Sequence, residues 1–217
     1  MATRACVAIK KGRSWKGVYN HWDGYPSGLG KDVWDYLHPL KIFSISELYL
    51  EKFAEELLKY DDWRNFLNGG RCPYCGRVGL SQPHSINGKI IIEPKKDIEI
   101  AENIKKTGYP DPECKYHKHD NLEEIEPMTP KNSDPLFIEW VYVINVKKVE
   151  MEILKSVRTE GYHYGTAYDG SKFRIPNYTW KKVAEIDLNG LEPDWNEIEE
   201  KGYELSEKMY EKFERCG

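Results

Sequence analysis

The chain has 217 residues, of which 40% are apolar and 31% charged, and its formal net charge is −4 at pH 7. That length supports one large domain, or a domain with a sizeable insertion, whose core needs no disulfides. The composition excludes a disordered chain, no apolar run reaches the length of a membrane span, and Met1-Ala2-Thr3-Arg4 is not the apolar start of a secretory leader, so a cytoplasmic protein is expected.

In chain order, Thr3 to Ile9 predicts a strand with Ala5, Val7 and Ile9 on one face, and Lys16 to Trp22 its hairpin partner. A Gly/Pro loop follows. A short helix is expected from near Gly30, with Val33, Trp34 and Leu37 inward, stopping before Pro39. Ser44-Ile45-Ser46-Glu47 has the form of a capping box opening a helix that carries Leu50, Phe53, Leu57 and Leu58. Another short helix is expected around Asp62 to Leu67. Residues 71–131 change character. They hold closely spaced cysteines, one strand candidate (Lys89 to Glu93) and a polar tail rich in Pro, Lys and Glu. Leu136 to Ile144 is apolar on both faces, as a covered central strand would be, and Val149 to Leu154 is its hairpin partner. Gly161 to Asn177 predicts strands joined at Asp169-Gly170, and Trp180 to Leu188 one more. After Pro193, the residues Trp195, Ile198, Gly202, Leu205, Met209 and Phe213 recur every three or four positions, the core stripe of a terminal helix. The expected fold is α+β: an antiparallel sheet with packed helices, residues 1–70 and 132–217 forming one domain and 71–131 a zinc-knuckle insertion.

The charge is uneven. Met1 to Asn20 carries five bases (Arg4, Lys10, Lys11, Arg13, Lys16) and no acid, whereas Glu192 to Gly217 has nine acids against four bases. A basic start can face nucleic acid or another anionic partner; with an acidic total, a solvated face is the plainer reading.

Cys72-Pro73-Tyr74-Cys75-Gly76 places two thiolates where they can grip one ion, and Cys114 with His117 supplies a second pair at matching short spacing. Together they make a closed, structural Cys3His zinc site, with His119 and His84 as alternatives for the fourth ligand. Gly69-Gly70 before the pair and Gly76 after it suit a knuckle better than a redox motif, which needs a strand before and a helix after.

The densest cluster of chemically able side chains is Tyr19-Asn20-His21-Trp22-Asp23-Gly24-Tyr25-Pro26. On a strand end, His21 and Asp23 would share one face with Trp22 on the other, and a carboxylate beside an imidazole can orient it as a general base. Arg4 on the paired strand could stabilise negative charge there. Asp-Gly is equally a common turn, in which Asp23 serves only the backbone. Thr3-Arg4-Ala5 followed by Gly17-Val18-Tyr19-Asn20-His21-Trp22-Asp23-Gly24-Tyr25-Pro26 resembles a family of small proteins from phages, bacteria and archaea. Its members open with a T-R-S/T-like strand and carry an H-W-D-G-Y-P segment ahead of a helix. Ile138 to Asn145 is similar to that family's W-x-Y-V-I-D strand, with Asn145 at the usual acid. The resemblance implies that His21, Asp23 and Tyr25 matter; it brings no activity, and the zinc insertion is not part of it.

Ser27-Gly28-Leu29-Gly30-Lys31 lies between strand and helix, where backbone N–H groups could hold a phosphate, but a turn is the simpler reading. Cys6 fits a buried strand thiol better than a nucleophile, and Tyr162-His163-Tyr164-Gly165 an aromatic core hairpin better than a stacking platform. Two functional readings follow. In the first, a zinc-stabilised binding protein holds an anionic or nucleotide-like ligand, or nucleic acid, near His21, Asp23, Tyr25, Asn20 and Lys31. In the second, a hydrolase uses His21 and Asp23 with Arg4 as charge stabiliser.

Overall fold

The structure, a computed structural model, describes residues 3–38, 44–58, 60, 62–67, 85–86, 89–90, 127–166 and 170–214. Contacts divide the chain into two compact units, Met1–Lys52 with Met128–Gly217, and Phe53–Pro127.

In the first unit, β1 (Ala5–Lys11) and β2 (Ser14–Asn20) form a tight hairpin, whose turn uses Gly12 at a φ of 61°. A wide helical turn (Pro26–Gly30) leads into α1 (Lys31–Leu37), which buries Val33, Trp34 and Leu37 as expected. Three further strands, β5 (Trp140–Asn145), β6 (Glu150–Thr166) and β7 (Lys172–Asp187), precede α4 (Trp195–Glu214). The strand order is β2-β1-β5-β6-β7. The fold is α+β, but the sheet is mixed rather than antiparallel, because β1 and β5 run parallel. Parallel neighbours need a long crossover, and the chain between β2 and β5 provides one.

Register sorts the side chains. Ala5, Val7 and Ile9 pair with Trp140, Tyr142 and Ile144, and these with Lys155, Ile153 and Met151, so they share one face. On that face α4 crosses Trp140 at Gly202, and Gly30 meets Tyr142. A Cβ added at Gly202 would lie 2.1 Å from the indole, so only glycine admits this approach. The opposite face packs Cys6, Ala8, Trp15, Ile138, Val141 and Val143 beneath Tyr19, Met128, Leu154 and Trp180. Strands β1 and β5 are therefore apolar on both sides, as central strands must be.

Two of the expected boundaries move because of identifiable hydrogen bonds. Strand β5 starts at Trp140, not Leu136, because Asp134 holds the preceding residues in a turn: its carboxylate accepts from Leu136 N, and its carbonyl from Phe137 N and Ile138 N. Helix α2 (Glu47–Leu57) starts two residues later than the Ser44 cap would place it. Asn189 accepts from Ile45 N at 2.7 Å and donates to Ile45 O at 3.1 Å, holding that residue out of the helix; Ser46 Oγ then caps Tyr49 N at 3.2 Å.

The second unit includes the end of α2 and α3 (Trp63–Leu67), whose start Asp62 caps by accepting from Arg64 N at 2.8 Å. Phe66 gathers the rings of Phe53, Tyr60 and Trp63 with centroids 5.2–5.7 Å away. A small ladder joins β3 (Ser85–Ile86) to β4 (Lys89–Ile90), at the start of the strand expected there, whose residues 91–93 lie outside the described residues. Cys72, Cys75, Cys114 and His117, with the alternatives His84 and His119, all lie outside the described residues. Among the described residues no group of His, Cys, Asp or Glu could hold a metal, and no helix is long and apolar enough to cross a membrane.

Candidate functional site

The segment from Asn20 to Pro26 leaves the end of β2 beside the start of β1 and is fixed from three directions. Gly24 N donates to Thr3 O (2.9 Å), Leu29 N to Asp23 O (2.8 Å), and the buried Tyr142 hydroxyl to Gly24 O (2.8 Å). Burial pushes the Tyr142 phenol well above its ordinary pKa, so it stays a neutral donor. In the Asp-Gly pair the roles are reversed from the usual turn. Asp23 takes the left-handed conformation (φ 51°), which a short polar side chain tolerates, while Gly24 is needed for space. A Cβ on Gly24 would sit 2.7 Å from both Ala5 Cβ and Thr3 O.

Because β2 ends at Asn20, strand alternation does not govern His21 and Asp23. His21 Nδ1 shares a 2.7 Å hydrogen bond with the Tyr19 hydroxyl, and its ring meets Trp22 edge-on at 4.5 Å. Asp23 Oδ1 instead accepts from the Tyr25 hydroxyl at 3.3 Å, and the Asp23 charge raises the Tyr25 pKa. The Arg4 guanidinium stands 5.9 Å over the Phe137 ring. Neither His21, Asp23 nor Arg4 hydrogen-bonds to another of the three, although Gly24–Thr3 pairing keeps them at one end of the sheet. Asn20 is buried and its amide donates to the Trp22 carbonyl, shaping the loop from beneath. Lys31 binds Asp35 (2.7 Å) and Glu192 (3.3 Å), and the Asp35 hydrogen bond leads in raising its pKa. The possible phosphate cradle is filled from within: Ser27 Oγ (2.7 Å) and Ser27 N (3.3 Å) both donate to Glu199. Cys6 is buried, and burial pushes its thiol far up, as suits a core residue.

The same sheet end holds residues that the sequence did not assign to the site, Trp22 among them although it lies in the segment singled out. Trp22 is 46% exposed and Phe137 53% exposed, on backbone that is hydrogen-bonded in place. Lys155, opposite Trp140 in register, lies beneath α4 with Nζ 3.3 Å from Glu139 Oε2 and over the Trp140 and Tyr203 rings at 5.0 and 5.3 Å. Burial lowers its pKa, against which Glu139 and Glu199 act. Burial also raises the Tyr203 phenol, with Glu199 and Glu139 adding to the effect. The signal for Lys155 was a lysine on the inward parity of a strand, legible only once register is known. Chemically, this end offers exposed ring faces, the Arg4 cation and a fixed imidazole. No family model, curated protein or solved structure matches the chain.

Proposed function

We propose that the chain is a binding protein that holds a small anionic, nucleotide-like ligand at the His21–Tyr25 loop, with zinc bracing its insertion. The observation that carries this is an indole left nearly half exposed on a loop hydrogen-bonded from three directions. A rigid, exposed ring is a ready stacking partner because little ordering entropy remains to be lost on binding. Arg4 at the same sheet end has no carboxylate partner among the described residues, so its charge is open to an anion. Asp23 and Tyr25 engage each other and set the loop's form. The zinc reading rests on the spacing of Cys72, Cys75 and Cys114, with His117 as fourth ligand.

Calorimetric titration of wild type, Trp22→Ala and Arg4→Ala with nucleoside mono- and diphosphates tests the ligand. Binding weakened at least about tenfold by either change, in proteins that melt normally, is expected; equal affinity in all three would refute the reading. One observation favours the hydrolase alternative with Asp23 and Arg4: Nδ1 of His21 pairs with the Tyr19 hydroxyl while Nε2 has no partner among the described residues, so in the tautomer whose Nδ1–H donates to Tyr19 the free Nε2 is the basic nitrogen. Phosphoester turnover abolished by His21→Ala would establish that alternative.

A further inference from the structure

Strand β6 pairs with β5 only as far as Lys155, yet continues to Thr166 paired with β7 alone. The hairpin thus extends past the sheet as a two-stranded arm, its outer part from Thr159 roughly 25 Å long at about 3.3 Å per residue. Expected as an aromatic core hairpin, it is exposed. Tyr162 is 42% and Tyr164 65% accessible, and Phe173 is also exposed. Cross-strand pairing of Tyr162 with Pro176, Tyr164 with Arg174 and Thr166 with Lys172 places both tyrosines and both cations on one face. Phe173, opposite Gly165, belongs to the other face.

The charge on the arm is unusual. At its root Arg158 is only 6% exposed, donates to the Tyr162 hydroxyl at 2.8 Å and stacks on the Tyr162 and Tyr210 rings. Its Nε is buried without a hydrogen-bond partner. Arg174 lies 5.8 Å over the Tyr162 ring from the other strand. Among the described residues none of Arg158, Lys172 and Arg174 pairs with a carboxylate, and Glu160 is the one acid in residues 158–166 and 170–176. Arg158 is held by the Tyr162 hydroxyl and two rings, whereas Lys172 and Arg174 are exposed beside Tyr162 and Tyr164. A two-stranded ribbon gains little from exposed rings in water, and an anionic partner with planar groups would cover those rings and meet both exposed cations.

We propose that the face of this arm carrying Tyr162, Tyr164, Lys172 and Arg174 binds single-stranded nucleic acid. The two rings stack on bases, a contact every base can make, and the unpaired cations meet the phosphates. This does not depend on the loop reading, which concerns a mononucleotide at Trp22.

Fluorescence anisotropy of a labelled twelve-residue oligothymidylate, titrated with the full chain in low salt, provides the test. Binding should weaken at least about tenfold in Tyr164→Ala and in Lys172→Ala/Arg174→Ala, while Leu191→Ala, a change at an exposed residue outside both sites, binds like wild type. The double charge variant should also flatten the dependence of log K on log salt by about 1.4, at about 0.7 per phosphate contact on a single strand. No binding at low salt, or equal binding by wild type and the arm variants, would overturn the proposal. So would sedimentation showing a dimer that Tyr164→Ala dissociates, since a second copy would then cover the arm.

Discussion

Lys155 places an ammonium where the sheet expects an apolar side chain, and its environment makes the cost depend on pH. Burial lowers its folded-state pKa below the ordinary 10.5, with the Glu139 charge only partly opposing. Between the lowered value and 10.5 the unfolded chain holds more protons than the folded one, so stability rises with pH across that window and the penalty is complete below it. The unfolding free energy of wild type relative to Lys155→Met should therefore increase from neutral pH towards about 10.5; chemical denaturation of both proteins along that pH series measures it, and a flat difference would contradict the assignment. Gly202 makes a steric demand. Any Cβ there meets the Trp140 indole, so Gly202→Ala should cost about 1–3 kcal/mol of stability, read from urea unfolding. Neither role was visible beforehand: Gly202 was correctly placed on the core stripe, but that Trp140 fills the space of its missing side chain is a tertiary fact.

At the scale of elements, periodicity revealed what pattern alone can reveal. The first half of the α4 stripe (Trp195, Ile198, Gly202), the inward residues of α1 and the doubly apolar β5 follow from spacing because each buries an apolar face, while Leu205, Met209 and Phe213 further along α4 are half-buried. The misplaced start of α2 came from a contact distant in sequence. Ser44 and Ser46 are both plausible caps locally, and it is Asn189, more than 140 residues on, that selects Ser46. Ser46→Ala should accordingly cost about 1 kcal/mol and Ser44→Ala well under that, a contrast thermal melts can resolve. The β6–β7 hairpin was legible as strands, but its exposure was not, since alternating aromatic and polar residues suit a half-buried strand and a solvated arm equally well. The basic start likewise divides on folding. Lys10 is tied to Glu152 at 2.8 Å, while Arg4 is left at the loop end.

Across the whole molecule, sequence and structure illuminate different parts. The cysteine spacing speaks to the insertion, where elemental analysis should find about one zinc per chain, lost in Cys72→Ser; metal-free protein purified without chelators would reject the site. The loop was singled out by its dense chemistry, and the structure fixes its backbone to Thr3, just before β1, and to Tyr142. Its working geometry could not be read from spacing, because β2 ends at Asn20, before the alternation that would have put His21 and Asp23 on one face. The central claim is that this rigid loop receives a ligand on Trp22. The chain has seven tryptophans, so an NMR titration with a nucleoside diphosphate can follow each indole N–H, with the Trp22 signal assigned by its loss in Trp22→Phe. The account predicts that the Trp22 signal shifts most and saturates with the ligand; a Trp22 signal that stays still while ligand is added, or while other indoles move, would contradict it.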